Sequence, residues 1–363
     1  MNKFFKPLLV HIDSFLMGCL FFTLMVGLFV LYSASGQDFS RIYDQTVNIV
    51  LAFFVMWLAA NIAPHQLERI AMPLYVLGVV LLVAVELVGS TSHGAQRWLN
   101  LGITKIQPSE IMRIAMPMML AWYFTKLEVR PSAKHFAQAG LLLLVPVALV
   151  MKQPDLGTAL LITAAGFYVL FLAGLSWKLL VGGTLSLAIA APFLWTLLHD
   201  YQRRRIEILF DPSQDPLGSG YHTIQAMIAI GSGGFAGKGW LNGTQAQLDF
   251  IPERTTDFIF AVFSEEFGLL GNILLLSLFS LIILRGLVIA SEAKSTFGRL
   301  LAGSIALTFF TYAFVNMGMV SGILPVVGVP LPLISYGGTS MVMLCLGLGI
   351  LMSIATHKNV VAT

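Results

Sequence analysis

Three acidic residues stand at the edges of long apolar stretches, where a charge is costly: Glu110, Asp155 and Asp257. A charge at the centre of a bilayer costs about 2.5 to 3.5 kcal/mol, so an ionisable residue inside a membrane span is a functional candidate. Arg113 follows Glu110 by three residues and can pair with it on a helix. Structural roles are the alternatives: an ion pair that locks two helices together, and helix N-caps for Asp155 and Asp257.

A fourth polar segment covers residues 324–338 and contains three prolines within eight residues, followed by Ser335 and Tyr-Gly-Gly. Prolines at this density break a helix. Non-helical backbone at membrane depth is tolerated only where protein buries it or where it lines a wet cavity. The segment therefore predicts a re-entrant loop or a broken helix beside a cavity, with a plain extracellular turn as the alternative.

Basic residues accompany these four polar sites along the chain. Arginine binds a phosphate through two parallel hydrogen bonds, so such a set suits a phosphate or pyrophosphate group. Anionic lipid headgroups are the alternative ligand. The set consists of Arg97, Lys105, Lys152, Arg203, Arg204, Arg205, Lys238 and Arg254.

Membrane helices must position these residues. Of the 363 residues 57% are hydrophobic and 11% charged, against about 25% charged in a soluble domain. A net charge of +3 is too small to indicate nucleic-acid binding, and two isolated cysteines support neither a disulfide framework nor a cysteine metal site. We predict one all-α polytopic membrane domain over 1–363. Its ten apolar runs lie at 14–35, 44–63, 70–89, 109–125, 136–151, 156–174, 177–198, 258–284, 299–320 and 334–356.

The basic residues of the short loops predict the orientation. With a cytoplasmic N-terminus, eleven bases lie in inward short loops and two, Arg41 and Lys152, in outward ones. Both termini are therefore predicted to be cytoplasmic, and all four polar sites then fall at the outer face. Polar residues that line a catalytic or binding cavity are expected to lie together at one end of the bundle, whereas structural ion pairs would be scattered along it.

The long outward loop, 199–257, is too long for an idle connector. Its aromatic residues and the apolar stretch 224–230 predict a partly helical cap on the outer face. The glycine-rich run 231–239 is no Walker motif, because Gly239 follows Lys238 where Ser or Thr is required. Its glycines instead predict tight turns and close backbone approach.

Seven sequence motifs follow one another along nearly the whole chain. They are Gly94-Ala95-Gln96-Arg97-Trp98, Gln107-Pro108-Ser109-Glu110, Gln153-Pro154-Asp155-Leu156-Gly157-Thr158, Asp211-Pro212 with Asp215-Pro216-Leu217-Gly218-Ser219-Gly220-Tyr221, Pro252-Glu253-Arg254-Thr255-Thr256-Asp257-Phe258, Gly322-Ile323-Leu324-Pro325 and Ser335-Tyr336-Gly337-Gly338. In this order they closely resemble the SEDS family (shape, elongation, division and sporulation). The resemblance is to the elongation branch more than to the division branch.

The resemblance implies a ten-helix peptidoglycan glycosyltransferase of the bacterial cytoplasmic membrane. Such an enzyme polymerises lipid II at the outer face during cell elongation, together with a class B penicillin-binding protein transpeptidase and other elongation-complex membrane proteins. The family's essential acid matches Asp257, its Pro-Ser-Glu acid matches Glu110, and cavity positions match Arg97 and Asp155. Where the family usually has lysine this chain has Arg113, which stays protonated and is predicted to act as a charge partner only.

We hypothesise that Asp257 is the general base on the 4-hydroxyl of the acceptor GlcNAc. This hydroxyl attacks the anomeric carbon of the donor MurNAc in one inverting displacement and expels undecaprenyl pyrophosphate. A lipid II flippase and a non-catalytic scaffold for the penicillin-binding protein are the alternatives. A flippase needs polar groups accessible from both sides, and a scaffold leaves the one-sided cluster without a purpose.

Further side chains are expected to bind substrate, and a divalent cation, Mg²⁺ or Mn²⁺, is a candidate cofactor shared by carboxylates and pyrophosphate. No organic cofactor is expected. Beside the catalytic candidates Asp257 and Glu110, the predicted substrate-binding residues are Arg97, Arg113, Asp155, Lys152, Arg204, Lys238, Arg254 and Ser335.

Overall fold

Helices build almost all of this protein. The computed structural model describes residues 10–92, 95–100, 105–127, 130–197, 200–215, 218–248, 250–251 and 253–357. Its three short strands pair antiparallel in the order β1-β2-β3. The elements in chain order are α1 Ser14–Ala34, α2 Phe39–Asn61, α3 Pro64–Val88, β1 Ser90–Ser92, β2 Ala95–Asn100, β3 Lys105–Ile106, α4 Pro108–Thr125, α5 Ala133–Lys152, α6 Leu156–Leu172, α7 Trp177–Leu197, α8 Asp200–Phe210, a 3-10 helix Pro212–Gln214, α9 Ser219–Gly233, α10 Thr244–Gln247, α11 Ile259–Glu292, α12 Thr296–Val320 and α13 Gly338–Thr356.

The long helices coincide with the predicted spans. Each of the ten apolar runs overlaps one of the helices α1 to α7 or α11 to α13. Within the described residues, seven helices are long and apolar enough to cross a membrane: α1, α2, α3, α5, α11, α12 and α13. The all-α polytopic membrane class is confirmed. The number of ten crossings, their orientation and the single domain over 1–363 stay predictions.

Helices α4 and α12 lie in the middle of the bundle. Helix α12 packs against α4, α6, α11 and α13, and α4 also packs against α3 and α6. Large side chains of both helices are fully or almost fully buried, among them Met112, Met116 and Phe309. Phe310 and Phe314 leave one side of α12 exposed. The buried polar side chains of the two helices lie away from that side and face other protein groups.

The segment 322–337, here named the proline loop, joins α12 to α13 without forming a helix. Its three prolines donate no backbone hydrogen bond, and φ is positive at Gly328 (74°) and Leu333 (65°). The prediction of non-helical backbone here is confirmed. Helix α13 begins at Gly338, four residues after the predicted start at 334, because the loop backbone continues to that point.

The predicted outward loop 199–257 contains the helices α8, α9 and α10. Helix α9 and the glycine run after it pack directly on the first part of α11. A Cβ atom at Gly233 would lie 2.1 Å from the carbonyl oxygen of Ser264, and one at Gly237 would lie 2.1 Å from that of Glu266. The prediction that this run permits close backbone approach is confirmed.

Helix α11 bends at Gly268, where φ is 60° and ψ is −156°. A Cβ atom at this position would lie 2.4 Å from the backbone nitrogen of Gly237. A positive φ combined with a backbone contact this close admits glycine only. The first part of α11, which directly follows Asp257, is thus held against the glycine run as a unit distinct from the rest of the helix.

Gly237→Ala is expected to lower the free energy of unfolding by about 1 to 3 kcal/mol, because the added methyl group overpacks a backbone contact. The position also has a φ of 80°, which penalises alanine. The melting temperature of the purified protein in detergent measures the effect. Gly140→Ala in α5 is the matched control, since nothing lies within 4 Å of its Cβ position. Equal melting of the Gly237→Ala variant and the wild type would contradict the close contact.

Candidate active site

Arg113 is the centre of a buried polar cluster. Its Nη1 donates to Glu110 Oε2 and to the hydroxyl of Tyr312, each at 2.7 Å, and its Nη2 donates to Thr158 Oγ1 at 2.9 Å. The Glu110 and Arg113 side chains are each 9% exposed. The predicted pairing of Glu110 with Arg113 is confirmed. The bonds of Arg113 to Thr158 and Tyr312 also join α4 to α6 and α12. The structural alternative therefore also describes what this pair does.

The start of α4 favours a carboxylate at position 110. Pro108 is in the first turn, where its missing N–H is not needed. Glu110 lies in the same turn, where the unpaired N–H groups of the helix favour a negative charge. Arg113 comes one turn later and points to the same buried cluster.

Asp155 both caps α6 and approaches a base. Its Oδ1 accepts from the backbone N–H of Thr158 at 3.1 Å, so the capping interpretation is confirmed. Its Oδ2 accepts from Gln107 Nε2 at 3.1 Å and lies 4.0 Å from Arg97 Nε. Arg97 comes from β2 and also donates to the carbonyl groups of Gln153, at 3.2 Å, and Pro154. The β2 arginine is thus fixed over the N-terminus of α6.

The carboxylate of Asp257 faces the proline loop. A Cβ atom at Gly328 would lie 3.5 Å from Asp257 Oδ2. Burial, followed by the negative charge of Glu253, raises the pKa of Asp257 from 3.8 to about 6, against a smaller opposing effect of Arg205. A carboxylate with such a pKa is a stronger base than an aspartate in water and is still largely ionised at neutral pH.

The backbone of Asp257 is held from α12. The carbonyl oxygen of Asp257 accepts from Asn316 Nδ2 at 2.8 Å. Helix α11 starts at Ile259 with Phe258 as its N-cap, and no side chain makes a capping hydrogen bond. The alternative in which Asp257 caps this helix is therefore wrong. Its carboxylate is left to face the proline loop.

The proline loop connects Asp257 to the arginine cluster. A Cβ atom at Gly157, on the α6 turn that carries Thr158, would lie 2.7 Å from the carbonyl oxygen of Val327. The next residue, Gly328, contacts Asp257. On the α8 side, Arg205 Nη1 donates to the carbonyl oxygen of Val326 at 2.8 Å. One stretch of three residues therefore touches α6, α8 and the segment before α11.

Ser335 supports the residues before Asp257. Its hydroxyl donates to the carbonyl oxygen of Thr256 at 2.7 Å and accepts from the N–H of Leu331 at 2.8 Å. The adjacent Tyr336 N–H donates to the carbonyl oxygen of Thr255 at 2.8 Å. The Ser335 hydroxyl thus holds the backbone of Thr256, and its role in substrate binding stays a prediction.

Arg254 lies on the opposite flank of the same segment. Its Nε donates to the carbonyl oxygen of Ala34, the last residue of α1, at 2.7 Å. The neighbouring Thr255 hydroxyl accepts from Arg41 Nη1 at 3.0 Å. These contacts fasten the approach to Asp257 to the end of α1 and the start of α2.

Three predicted substrate-binding residues form ion pairs outside the arginine cluster. Lys152 pairs with Glu86 at 2.9 Å on the surface, and Arg204 pairs with Asp215 at 3.2 Å. Lys238 pairs at 2.6 Å with Glu265, whose side chain is fully buried beneath the glycine run. Roles in binding stay predictions for all three. The side chain of Lys105 and the motif residues Gly94, Pro216, Leu217 and Pro252 lie outside the described residues.

Sequence reasoning missed Tyr312, Thr158 and Asn316. Tyr312 and Asn316 are four residues apart within an apolar span, and this spacing puts both on one face of a helix. That spacing was an available signal. Thr158 belongs to one of the motifs, but its contact with Arg113 joins positions 45 residues apart, which the local sequence does not indicate.

Within the described residues no three His, Cys, Asp or Glu side chains form a metal-binding group. Mg²⁺ is commonly held by one or two carboxylates together with substrate phosphates. The divalent cation shared by carboxylates and a pyrophosphate stays a prediction.

Comparisons with known proteins place the chain among cell-wall enzymes. The family model FTSW_RODA_SPOVE, described as cell cycle protein, matches residues 13–360. Peptidoglycan glycosyltransferase MrdB of Escherichia coli strain K12 is 51% identical over 97% of this chain and 96% of that protein. A chain of a peptidoglycan synthase complex that coordinates polymerization and crosslinking is 31% identical with a TM-score of 0.84, covering 96% of this chain and 99% of that one. The rod shape determining protein RodA of Thermus thermophilus is 30% identical with a TM-score of 0.71, covering 94% and 96%.

Proposed function

Because the chain belongs to the FtsW, RodA and SpoVE family of cell cycle proteins and is a peptidoglycan glycosyltransferase, we propose that Asp257 is its general base. The observation that carries this proposal is the position of Asp257. Its carboxylate is largely buried, has a pKa of about 6, and faces a loop that leads directly to the Arg113 cluster. Glu110 is a charged member of that cluster and is proposed to set its electrostatics through Arg113.

The proposed reaction is a single displacement at the donor sugar. Asp257 accepts the proton of the acceptor GlcNAc 4-hydroxyl while the oxygen bonds to the anomeric carbon of the lipid-linked MurNAc. The bond from that carbon to the pyrophosphate oxygen breaks, and undecaprenyl pyrophosphate leaves with the electron pair. An α-linked donor gives a β-linked product, so one displacement with inversion suffices and no covalent enzyme intermediate is needed.

Positive charge near the leaving group stabilises the pyrophosphate as the bond breaks. Arg97 is partly exposed and fixed over the start of α6, which suits direct contact with a phosphate. Arg113 is buried and engaged with Glu110, Tyr312 and Thr158. It is proposed to act as a fixed charge. A divalent cation shared by carboxylates and the pyrophosphate would neutralise further charge.

The protein is a multi-pass membrane protein. We place it in the bacterial cytoplasmic membrane, where polymerisation of lipid II during cell elongation would take place at the outer face. A class B penicillin-binding protein transpeptidase is the proposed partner, with other membrane proteins of the elongation complex. Similarity to a chain of a complex that coordinates polymerization and crosslinking supports the first of these partners.

Polymerisation of lipid II by the purified protein tests the function. The assay is run with and without the class B partner and with Mg²⁺ or Mn²⁺, and moenomycin silences contaminating classical glycosyltransferases. Glycan polymer and released undecaprenyl pyrophosphate are expected. No polymer together with lipid II crossing liposome bilayers would identify a flippase instead, and neither activity would favour a scaffold.

The rate of polymerisation is expected to fall below pH 6. The base works only when ionised, so its raised pKa moves the loss of activity upward from the ordinary aspartate value of 3.8 to about 6. Below that point kcat/KM decreases about tenfold per pH unit. A pH–rate profile at constant ionic strength measures this limb. A profile that stays flat from pH 7 down to pH 5 would contradict Asp257 as a base of raised pKa.

A further inference from the structure

Asn316 is a fully buried amide at the junction of two parts of the site. It lies on α12 with no exposed surface. Its Nδ2 donates to the carbonyl oxygen of Asp257 at 2.8 Å and to the carbonyl oxygen of Val329 at 2.7 Å. These two acceptors belong to segments more than 70 residues apart, and one amide group holds both.

The two contacts fix the orientation of the amide. Both partners are carbonyl oxygens, which only accept, so the NH₂ group must face them and the oxygen must point away. Oδ1 of Asn316 is buried and has no hydrogen-bond partner among the described residues. Buried polar atoms are normally satisfied. The hydrogen bonds that this amide makes within the described residues are thus those of its NH₂ group, to Asp257 and Val329.

The two tethered segments meet at the Asp257 carboxylate. Val329 directly follows Gly328, whose Cβ position is 3.5 Å from Asp257 Oδ2. Helix α11 begins only at Ile259 and no side chain caps it. The backbone carbonyl of Asp257 is thus held directly from α12, and the same amide holds the loop backbone next to Gly328, beside the carboxylate.

We propose that Asn316 is the positioning residue for Asp257, holding the aspartate and the proline loop in one fixed arrangement. This inference rests on the proposed role of Asp257 as the base. Small displacements of a reacting group cost large factors in rate, about 10²-fold for 1 Å. Removal of the tether separates the carboxylate from its loop and admits water to it, which lowers kcat more than substrate binding.

Gln45 offers a matched control at the other end of the same loop. It is buried, its Nε2 donates to the carbonyl oxygen of Ser335 at 3.3 Å, and its Oε1 accepts from the N–H of Gly337 at 3.3 Å. Like Asn316 it uses a side-chain amide to hold proline-loop backbone. Unlike Asn316 it makes no contact with Asp257 or Val329.

The test compares Asn316→Ala and Gln45→Ala in lipid II polymerisation, with kcat, KM and pH profiles measured for each. For Asn316→Ala we expect kcat to fall about 10²-fold, with KM changed less than about threefold. The acid limb moves to lower pH, because water at the carboxylate returns its pKa toward the ordinary value. Gln45→Ala is expected to keep kcat within about threefold and the limb in place.

Two outcomes would overturn the inference: Asn316→Ala with kcat within threefold of wild type, or equal losses in both variants with unmoved acid limbs. Asn316→Asp fills the same volume but cannot donate to both carbonyl groups. If Asn316→Ala does not fold, this second variant decides, and a kcat within threefold of wild type overturns the inference.

Asp257→Asn is assayed in parallel. If the Asp257→Asn variant is active, the proposed role of Asp257 as the base is wrong. If Asp257→Asn is inactive and Asn316→Ala is fully active, only the positioning role of Asn316 is wrong.

Discussion

Asp257→Asn is expected to abolish measurable polymerisation of lipid II while the protein still folds. General-base catalysis contributes about 10²- to 10⁴-fold, and asparagine has the size of aspartate but accepts no proton. The substitution removes a largely buried charge beside Glu253, so the melting temperature is expected to stay equal or rise. The measurement is glycan polymer formed by purified variant and wild type at pH 7.5 with the class B partner present.

Glu207→Gln provides the matched control for this substitution. Glu207 is an exposed acid on α8 in the same outward segment, and its replacement is expected to leave polymerisation within about twofold, as for most surface substitutions. An Asp257→Asn variant that makes more than a tenth of the wild-type polymer would remove Asp257 from the role of base.

Arg113→Met is expected to lower the free energy of unfolding by about 3 to 5 kcal/mol, because it leaves the buried Glu110 without a compensating charge. Arg113 also donates the hydrogen bonds that join Glu110, Tyr312 and Thr158. In the double variant Glu110→Met with Arg113→Met, no charge is left unpaired. Most of the lost stability is therefore expected to return. Thermal melting in one detergent measures all three proteins.

Lys152→Met is the control for the Arg113 substitution. Its pair with Glu86 has the same kind of charges at 2.9 Å, but Lys152 is 68% exposed, and such surface pairs contribute about 0 to 1 kcal/mol. If Arg113→Met and Lys152→Met have the same melting temperature, the buried pair stabilises the fold no more than the surface pair does. If the double variant is no more stable than Arg113→Met alone, the uncompensated charge of Glu110 is not the cause of the loss.

Local features of this protein could be predicted from its sequence. Apolar runs of about 20 residues predicted the long helices, since membrane spans need that length. The pairing of Glu110 with Arg113 and the cap formed by Asp155 depend on residues three apart, so the helix itself brings them together. The close packing of the glycine run followed from the absence of side chains.

Contacts between distant segments could not be predicted. Tyr312 is 199 positions from Arg113, and Asn316 is 59 positions from Asp257. Only the packing of α12 against its neighbours sets these pairs. The same limit applies to Lys238. The sequence predicted it for substrate as one of a set of basic residues, and its ion pair with Glu265 on the next long helix could not be predicted. The type of a residue indicates what it can bind, whereas its neighbours decide what it does bind.

The contacts of the proline loop restrict how this protein can evolve. Backbone atoms at 326, 327, 329 and 336 each meet a different fixed partner, and so does the hydroxyl at 335. Most of these contacts use backbone atoms, which any residue type supplies. One inserted or deleted residue, however, would shift every later contact by a position. Among descendants of this chain, substitutions in the loop are therefore expected to accumulate far more readily than changes in its length.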